Sequence, residues 1–194
     1  MRHRIPLVLC SMLPGTVLAA NLDLSIEIPR LDVAEYHRPY VAVWLEREDK
    51  SVAANLAVWY QQPKKGEKAP AAAAPAAPAA AAGAPGGMQG AAANLQGGVK
   101  WLPDLRQWWR RSGRELTLPV DGVTGATRAP GEHALSFNVA DLPAGQYKLV
   151  VEAAREEGGR ELVDVPFQVP AKDAQTIKAK GSRELGAISL SVKP

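Results

Sequence analysis

The sequence predicts a mostly β protein: an immunoglobulin-like antiparallel sandwich of about eight strands, with one short helix and a disordered Ala/Pro/Gly insertion. Three observations carry this. Apolar residues recur at every second position through most of the chain, turn-forming residues separate these runs, and the rhythm stops over one low-complexity tract. Alternation with Gly, Pro, Asn and Asp between runs marks half-buried antiparallel strands, because successive side chains of a strand point to opposite faces.

Taken in order, the chain starts with "MRHRIPLVLCSMLPGTVLAA", a basic tip at Arg2 and Arg4, an apolar middle, and small residues at Ala19 and Ala20. That layout predicts a secretory signal peptide over 1–20, cut after Ala19 or Ala20, and so an exported, periplasmic protein. The apolar middle is interrupted by Pro6 and Pro14 and falls short of the roughly 20 apolar residues that cross a bilayer. Cys10 follows "PLVL" and lies too early for a lipoprotein cleavage site.

The strands come next. "NLDLSIEI" places Leu22, Leu24, Ile26 and Ile28 on one face. "YVAVWLE" alternates Val41, Val43 and Leu45 against Tyr40, Ala42 and Trp44, and "NLAVWY" continues with Leu56, Val58 and Tyr60. From Lys64 to Gly98 the composition collapses to alanine, proline and glycine, too poor in apolar surface to offset the entropy of ordering. This tract reads as a flexible spacer inserted into a single domain made of 21–63 and 99–194. Beyond it, "KWLPDLRQWWRRSG" has Trp101, Leu105 and Trp108 at helical spacing, Pro103 suited to a first turn, and Ser112-Gly113 as a stop. A short helix packed over one edge or mouth of the sandwich is expected. Further strands follow around Leu116, Leu118 and Val120, then Leu135, Phe137 and Val139, then Tyr147, Leu149, Val151 and Ala153. Val163, Val165, Phe167 and Val169, and finally Ile188, Leu190 and Val192, complete the set. "DLPAGQY" and "EEGGR" read as reversals joining neighbouring strands.

Charge and composition narrow the function. Without the leader, 21 basic residues face 20 acidic ones, so the net charge falls from +3 to +1 and a nucleic-acid partner is not expected. The one cysteine leaves with the leader, which removes disulfides, thiolate nucleophiles and sulfur ligands from the mature chain. His37 and His133, distant in sequence, are poor material for a metal site. No Gly-x-Ser-x-Gly elbow supports a hydrolase, and "GGMQG" lies in the low-complexity tract without the flanking strand and helix that a phosphate-cradling loop needs.

Two stretches remain. Trp101, Trp108 and Trp109 crowd into nine residues beside Arg110 and Arg111. They either close the core or offer an aromatic wall to a flat ligand, with the arginines facing an anionic group. The second stretch, "DGVTGATR" at 121–128, reads locally as a turn. It also contains Asp-x-x-Thr-Gly-Ala-Thr. Thr127 supplies a hydroxyl, glycines at 122 and 125 give a deformable backbone, Ala126 keeps its position small, and Arg128 follows directly.

This pattern resembles the flavinylation motif in the flavin-bearing subunits of bacterial sodium- and proton-coupled redox pumps. There a FAD:protein FMN transferase of the exported compartment places FMN on the last threonine through a phosphoester. The resemblance implies covalent FMN on Thr127, with Asp121, Thr124, Gly125 and Ala126 as recognition positions and Arg128 beside the phosphate. Further, "YHRPYVAVWLE", "NLAVWY", "WLPDLRQWWRRSG", "DGVTGATRAPGEH" and "LPAGQYKLVVEAARE" resemble, in order, the blocks of the predicted periplasmic family called domain of unknown function 2271, over about residues 21 to 170. That resemblance implies association with membrane proteins of the PepSY type and with the FMN transferase. The long Ala/Pro insertion departs from the family, which has a short connection there. Together the two resemblances imply a periplasmic electron carrier that is a substrate of the transferase rather than an enzyme with its own turnover. The rival from another class is a cofactor-free immunoglobulin-like binding module, in which 121–128 is a hairpin and the tryptophans are core.

Overall fold

The computed structural model describes residues 21–62, 97–156 and 158–193. The signal peptide expected over 1–20 and most of the Ala/Pro/Gly insertion lie outside the described residues. Among the described residues nine strands run in chain order: β1 (Asn21–Ile28), β2 (Tyr40–Arg47), β3 (Val52–Tyr60), β4 (Thr124–Ala126), β5 (Gly131–Asn138), β6 (Gly145–Ala154), β7 (Arg160–Val169), β8 (Gln175–Lys180) and β9 (Ala187–Lys193). They form a four-stranded sheet of order β5-β1-β9-β8 and a five-stranded sheet of order β4-β3-β2-β6-β7. The sandwich has the layered architecture the alternation predicts, with a strand order of its own.

The alternating residues meet between the sheets. Leu22, Leu24, Ile26 and Ile28 of β1 and Ile188, Leu190 and Val192 of β9 face Val41, Val43, Leu45, Leu149, Val151, Val165 and Phe167 from the other sheet. This is the main core, and its burial is the dominant stabilising term.

A second cluster lies on the outer face of the five-stranded sheet. Tyr40, Ala42, Trp44, Val58, Tyr60, Val150 and Ala154 are buried there under Leu102, Leu105 and Trp108. These come from a helical layer: a 3-10 segment Gly97–Asp104, the helix α1 (Arg106–Arg111) and a 3-10 turn Gly113–Glu115. The helix therefore covers a sheet face, not the edge or mouth expected. Pro103 sits inside the 3-10 segment instead of opening the helix. Gly97 and Gly98, assigned from sequence to the insertion, belong to that segment, and the Gly98 amide donates to the Gln61 carbonyl at 2.7 Å. With one face on the core and the other under this layer, β2 is buried from Tyr40 through Glu46.

Four further differences have identifiable causes. The pairing of β2 with β3 slips between Val43 and Trp44, so that Leu56 is an extra residue on β3 and both Leu56 and Ala57 turn inward. Beyond this bulge the faces exchange: Val58 and Tyr60, expected on Leu56's face, point to the helical layer, while Trp59 enters the main core. Second, no strand forms over 116–120. Leu116 and Leu118 pack instead against the outer cluster, the Leu116 amide turns back to Gly113, and Pro119 has no N–H to give a ladder. Third, β8 has few apolar residues and β4 is three residues long, so neither is announced by alternation. Fourth, "DLPAGQY" carries the chain from β5 to β6, between sheets, rather than joining hydrogen-bonded neighbours; "EEGGR" does close the β6–β7 hairpin.

Candidate functional site

Residues 121–128 form neither a hairpin nor a free loop. Val58, Trp59 and Tyr60 of β3 pair in parallel with Thr124, Gly125 and Ala126, making β4 an edge strand of the five-stranded sheet. Parallel neighbours need a long crossover, and the helical layer between β3 and β4 is that crossover. The layer thus has two consequences, covering the outer face and delivering the motif to the sheet edge.

A tight turn leads into β4. Gly122 takes a φ of +74°, a left-handed conformation that suits glycine. The amides of Val123 and Thr124 donate to the Val120 carbonyl at 3.2 and 2.9 Å, and the Thr124 hydroxyl donates to the same oxygen at 2.9 Å. Past the strand, the Thr127 amide donates to the Tyr60 carbonyl at 3.2 Å and Gln62 Nε2 donates to the Gly125 carbonyl at 3.2 Å. A Cβ on Gly125 would stand 3.3 Å from the indole of Trp59, so that position is close-packed. The backbone is therefore fixed while most motif side chains stay out: Asp121, Ala126 and Arg128 are exposed and Thr127 half-buried.

The two threonines differ in one respect. Thr124 Oγ1 is committed to Val120, whereas the Thr127 hydroxyl makes no hydrogen bond among the described residues. Arg128 places its guanidinium 5.2 Å over the ring of Trp59, which His133 meets edge-on at 5.8 Å from the other sheet. His133 in turn donates from Nε2 to the Ala129 carbonyl at 2.8 Å, bracing the link from Thr127 to β5. Trp59, Gln62 and His133 escape sequence reasoning, because only the bulge in β3 and the parallel pairing bring them beside the motif.

The tryptophan cluster has another fate. Trp108 is 0 % exposed, and its indole Nε1 donates to Asn55 Oδ1 at 2.8 Å. A ring with no open face cannot wall a flavin, so its expected cofactor role is corrected: it is core. Trp101 and Trp109 are half-buried against the same cluster, with Lys100 Nζ 4.7 Å over the Trp101 ring and Trp109 tilted against Trp108. Arg110 donates to the Arg106 carbonyl within its own helix, and Arg111 lies 3.5 Å from Glu46 while donating to the Lys50 carbonyl. No hydrogen bond or ion pair joins Trp108, Trp109 or Arg110 to residues 121–128 among the described residues.

What holds α1 in place is Glu152, also unforeseen. It is 0 % exposed on β6, and its carboxylate accepts the amides of Gln107 at 3.0 and 3.1 Å and of Trp108 at 2.8 Å. These are N–H groups of the first helical turn that have no partner within the helix, so a sheet residue caps the helix from outside. Arg160 closes the charge at 2.6 Å. Nearby, burial pushes the phenol of Tyr40 up to about 12, with Glu156 and Asp104 adding to it.

The motif thus fits a phosphate-tethered group in two respects: an uncommitted hydroxyl at an exposed edge and a cationic side chain next in sequence. No cluster of His, Cys, Asp and Glu suited to a metal occurs among the described residues, and no helix there is long and apolar enough to cross a membrane. A family model described as "Predicted periplasmic protein (DUF2271)" matches residues 21–187. No curated protein and no solved structure matches the chain.

Proposed function

The chain belongs to the DUF2271 family of predicted periplasmic proteins, and on that premise we propose that it is a flavoprotein-type electron carrier with FMN attached to Thr127. The observation that carries the reading is the contrast between the two threonines of the motif: Thr124 Oγ1 is tied to Val120, and the Thr127 hydroxyl is uncommitted at the end of an exposed edge strand. An FAD:protein FMN transferase is the partner that makes the bond. Thr127 Oγ attacks the flavin-side phosphorus of FAD, the pyrophosphate P–O bond breaks, AMP leaves, and the threonine proton goes to a base of the transferase. No electrons are exchanged in that step.

In this reading Arg128, next in sequence, offsets the phosphoester charge, and the β4 ladder with Gln62 holds the attachment point rigid. The bound flavin supplies the redox chemistry; the protein tethers and orients it between a membrane-bound PepSY-type reductase and a periplasmic acceptor.

The test is the intact mass of the mature protein exported alongside an active FMN transferase, followed by peptide mapping. A gain of one FMN less water on the Thr127 peptide is expected. An unmodified chain, with the transferase active on another acceptor, overturns the reading and leaves the cofactor-free interaction module.

A further inference from the structure

Attachment at Thr127 fixes the phosphate and leaves open where the ring system rests. In the helical layer Trp108 is core, Trp101 has Lys100 over its ring and Trp109 packs half-buried against Trp108, while Trp59 is 2 % exposed with Arg128 over its ring. The chain itself points elsewhere. Three residues beyond Thr127, Pro130 borders two adjoining clefts that also share Arg30. They lie where β1 leaves the four-stranded sheet and β5 enters it, Ile28 being paired with Gly131.

In the smaller cleft the two carboxylates are already committed: Glu132 accepts from Ser25 and Glu27 accepts the Ala187 amide. The larger, of about 640 Å³, is different. Arg30, Leu31, Val33, Tyr36, Arg38 and Pro130 line it. Val33 is the large apolar side chain that stands most open among the described residues, at 41 %. The Tyr36 hydroxyl is buried without a hydrogen-bond partner among the described residues, which calls for an explanation. Neither Arg30 nor Arg38 enters an ion pair among the described residues, and they outnumber the one acid of the lining, Asp32.

We propose that this cleft seats the ring system of the flavin carried on Thr127; the inference rests on the flavin reading above. The volume falls within the roughly 300–1,000 Å³ of small-molecule sites. The reach is sufficient, since Pro130 lies at most about 10 Å along the chain from Thr127, a span similar to a ribityl phosphate tether. The chemistry also matches: Leu31, Val33 and the Tyr36 ring offer apolar and aromatic surface, and the two arginines suit the electron-rich, carbonyl-bearing edge of the ring, where nearby charge tunes its electronics. The ring of Tyr36, rather than its hydroxyl, is the part that lines the cleft, because the hydroxyl is buried in the protein. Burial raises the Tyr36 phenol above its usual range, against the pull of Arg155 and Arg38 and together with Glu184, so the ring stays neutral.

The experiment compares flavinylated wild-type protein with Tyr36→Phe and Arg38→Ala, each checked by intact mass for Thr127 modification and by circular dichroism for folding. Flavin emission and anisotropy are read on the attached cofactor. A ring resting on Tyr36 is quenched and slow to tumble; Tyr36→Phe should raise emission several-fold, and Arg38→Ala should lower anisotropy and shift the reduction potential downward. Emission, anisotropy and potential unchanged in both variants, with Thr127 modified in all three proteins, overturn the cleft as the seat and leave the attachment reading standing. A wild-type chain that takes up no FMN overturns both, so the two failures are distinguishable.

Discussion

The tryptophan-rich layer of residues 97–115 and the edge segment of residues 121–128 follow each other in the chain and border the same sheet, yet their side chains are treated oppositely. In the layer, side chains are committed: Trp108 is sealed and bonded to Asn55, and the first turn of α1 is capped by a buried Glu152. In the edge segment the backbone is committed, through the β3 ladder and Gln62, while Asp121, Ala126 and Arg128 face outward and the Thr127 hydroxyl has no partner among the described residues. Density of aromatic residues thus reports packing here. The proposed chemistry lies where a fixed main chain holds up side chains that packing has not used, as binding segments carried on a rigid scaffold do.

The strongest way to break this contrast is to damage the layer and watch the edge. Trp108→Ala should cost about 3–5 kcal/mol, the range for removing a buried aromatic side chain, read by urea unfolding. If the layer is purely structural, folded variant should still accept FMN on Thr127 to the wild-type extent. Loss of modification in a variant shown to be folded would mean that Trp108 belongs to the site after all.

A smaller effect sharpens the account of the layer. Glu152→Ala leaves the Gln107 and Trp108 amides without their acceptor and Arg160 without its partner. A loss of about 2–3 kcal/mol is expected, the scale of buried groups left unpaired, together with a weakened near-ultraviolet signal from the tryptophans. Wild-type stability in this variant would show that α1 does not depend on its cap.

A third change loosens the sandwich away from both regions. Burial acts to raise the Glu161 carboxyl, but the amides of Leu185, Ser182 and Arg183 and the Ser182 hydroxyl outweigh it and hold the group at about 2. A depressed folded value means stability that is present above the unfolded pKa, about 4.3, and lost as pH falls from there toward about 2. Glu161 of β7 thereby clamps the β8–β9 turn to the opposite sheet. Glu161→Gln should flatten the fall in melting temperature between about pH 5 and pH 2 without altering Thr127 modification. An unchanged acid limb would assign the loss to other carboxylates.

Much of this was legible in the sequence, and the misses share a cause. β1, β6, β7 and β9 follow from alternation, since each buries one face against the other sheet. Glu152 was invisible because in "VVEAARE" an acid between inward-facing Val151 and Ala153 reads as solvent-exposed, and only the helical layer makes that face an interior. A signal did exist: "YVAVWLE" is apolar at both odd and even positions, the mark of a strand covered on both sides. β4 left no such trace, because its partner lies across a crossover and three residues carry no period. The motif itself was legible as letters, but its attachment to Tyr60 and the cleft beyond Pro130 depend on tertiary pairing that no local pattern encodes.

The smallest expected change in stability is the most informative about the edge. Thr124 and Thr127 stand three positions apart, and alanine at each removes the same atoms. Thr124→Ala deletes the bond to Val120 and should cost about 1 kcal/mol, while Thr127→Ala loses no bond among the described residues and should stay within about 0.5 kcal/mol of wild type. Modification should run the other way. Thr124→Ala, with the β3 pairing still in place, should slow FMN uptake without abolishing it, whereas Thr127→Ala should abolish it outright, read as the absence of flavin fluorescence on a denaturing gel. If both variants lose flavin equally, the recognition turn rather than the hydroxyl limits attachment. If Thr127→Ala keeps covalent flavin, the acceptor is another residue, and the contrast between a spent and an unspent threonine carries no chemistry.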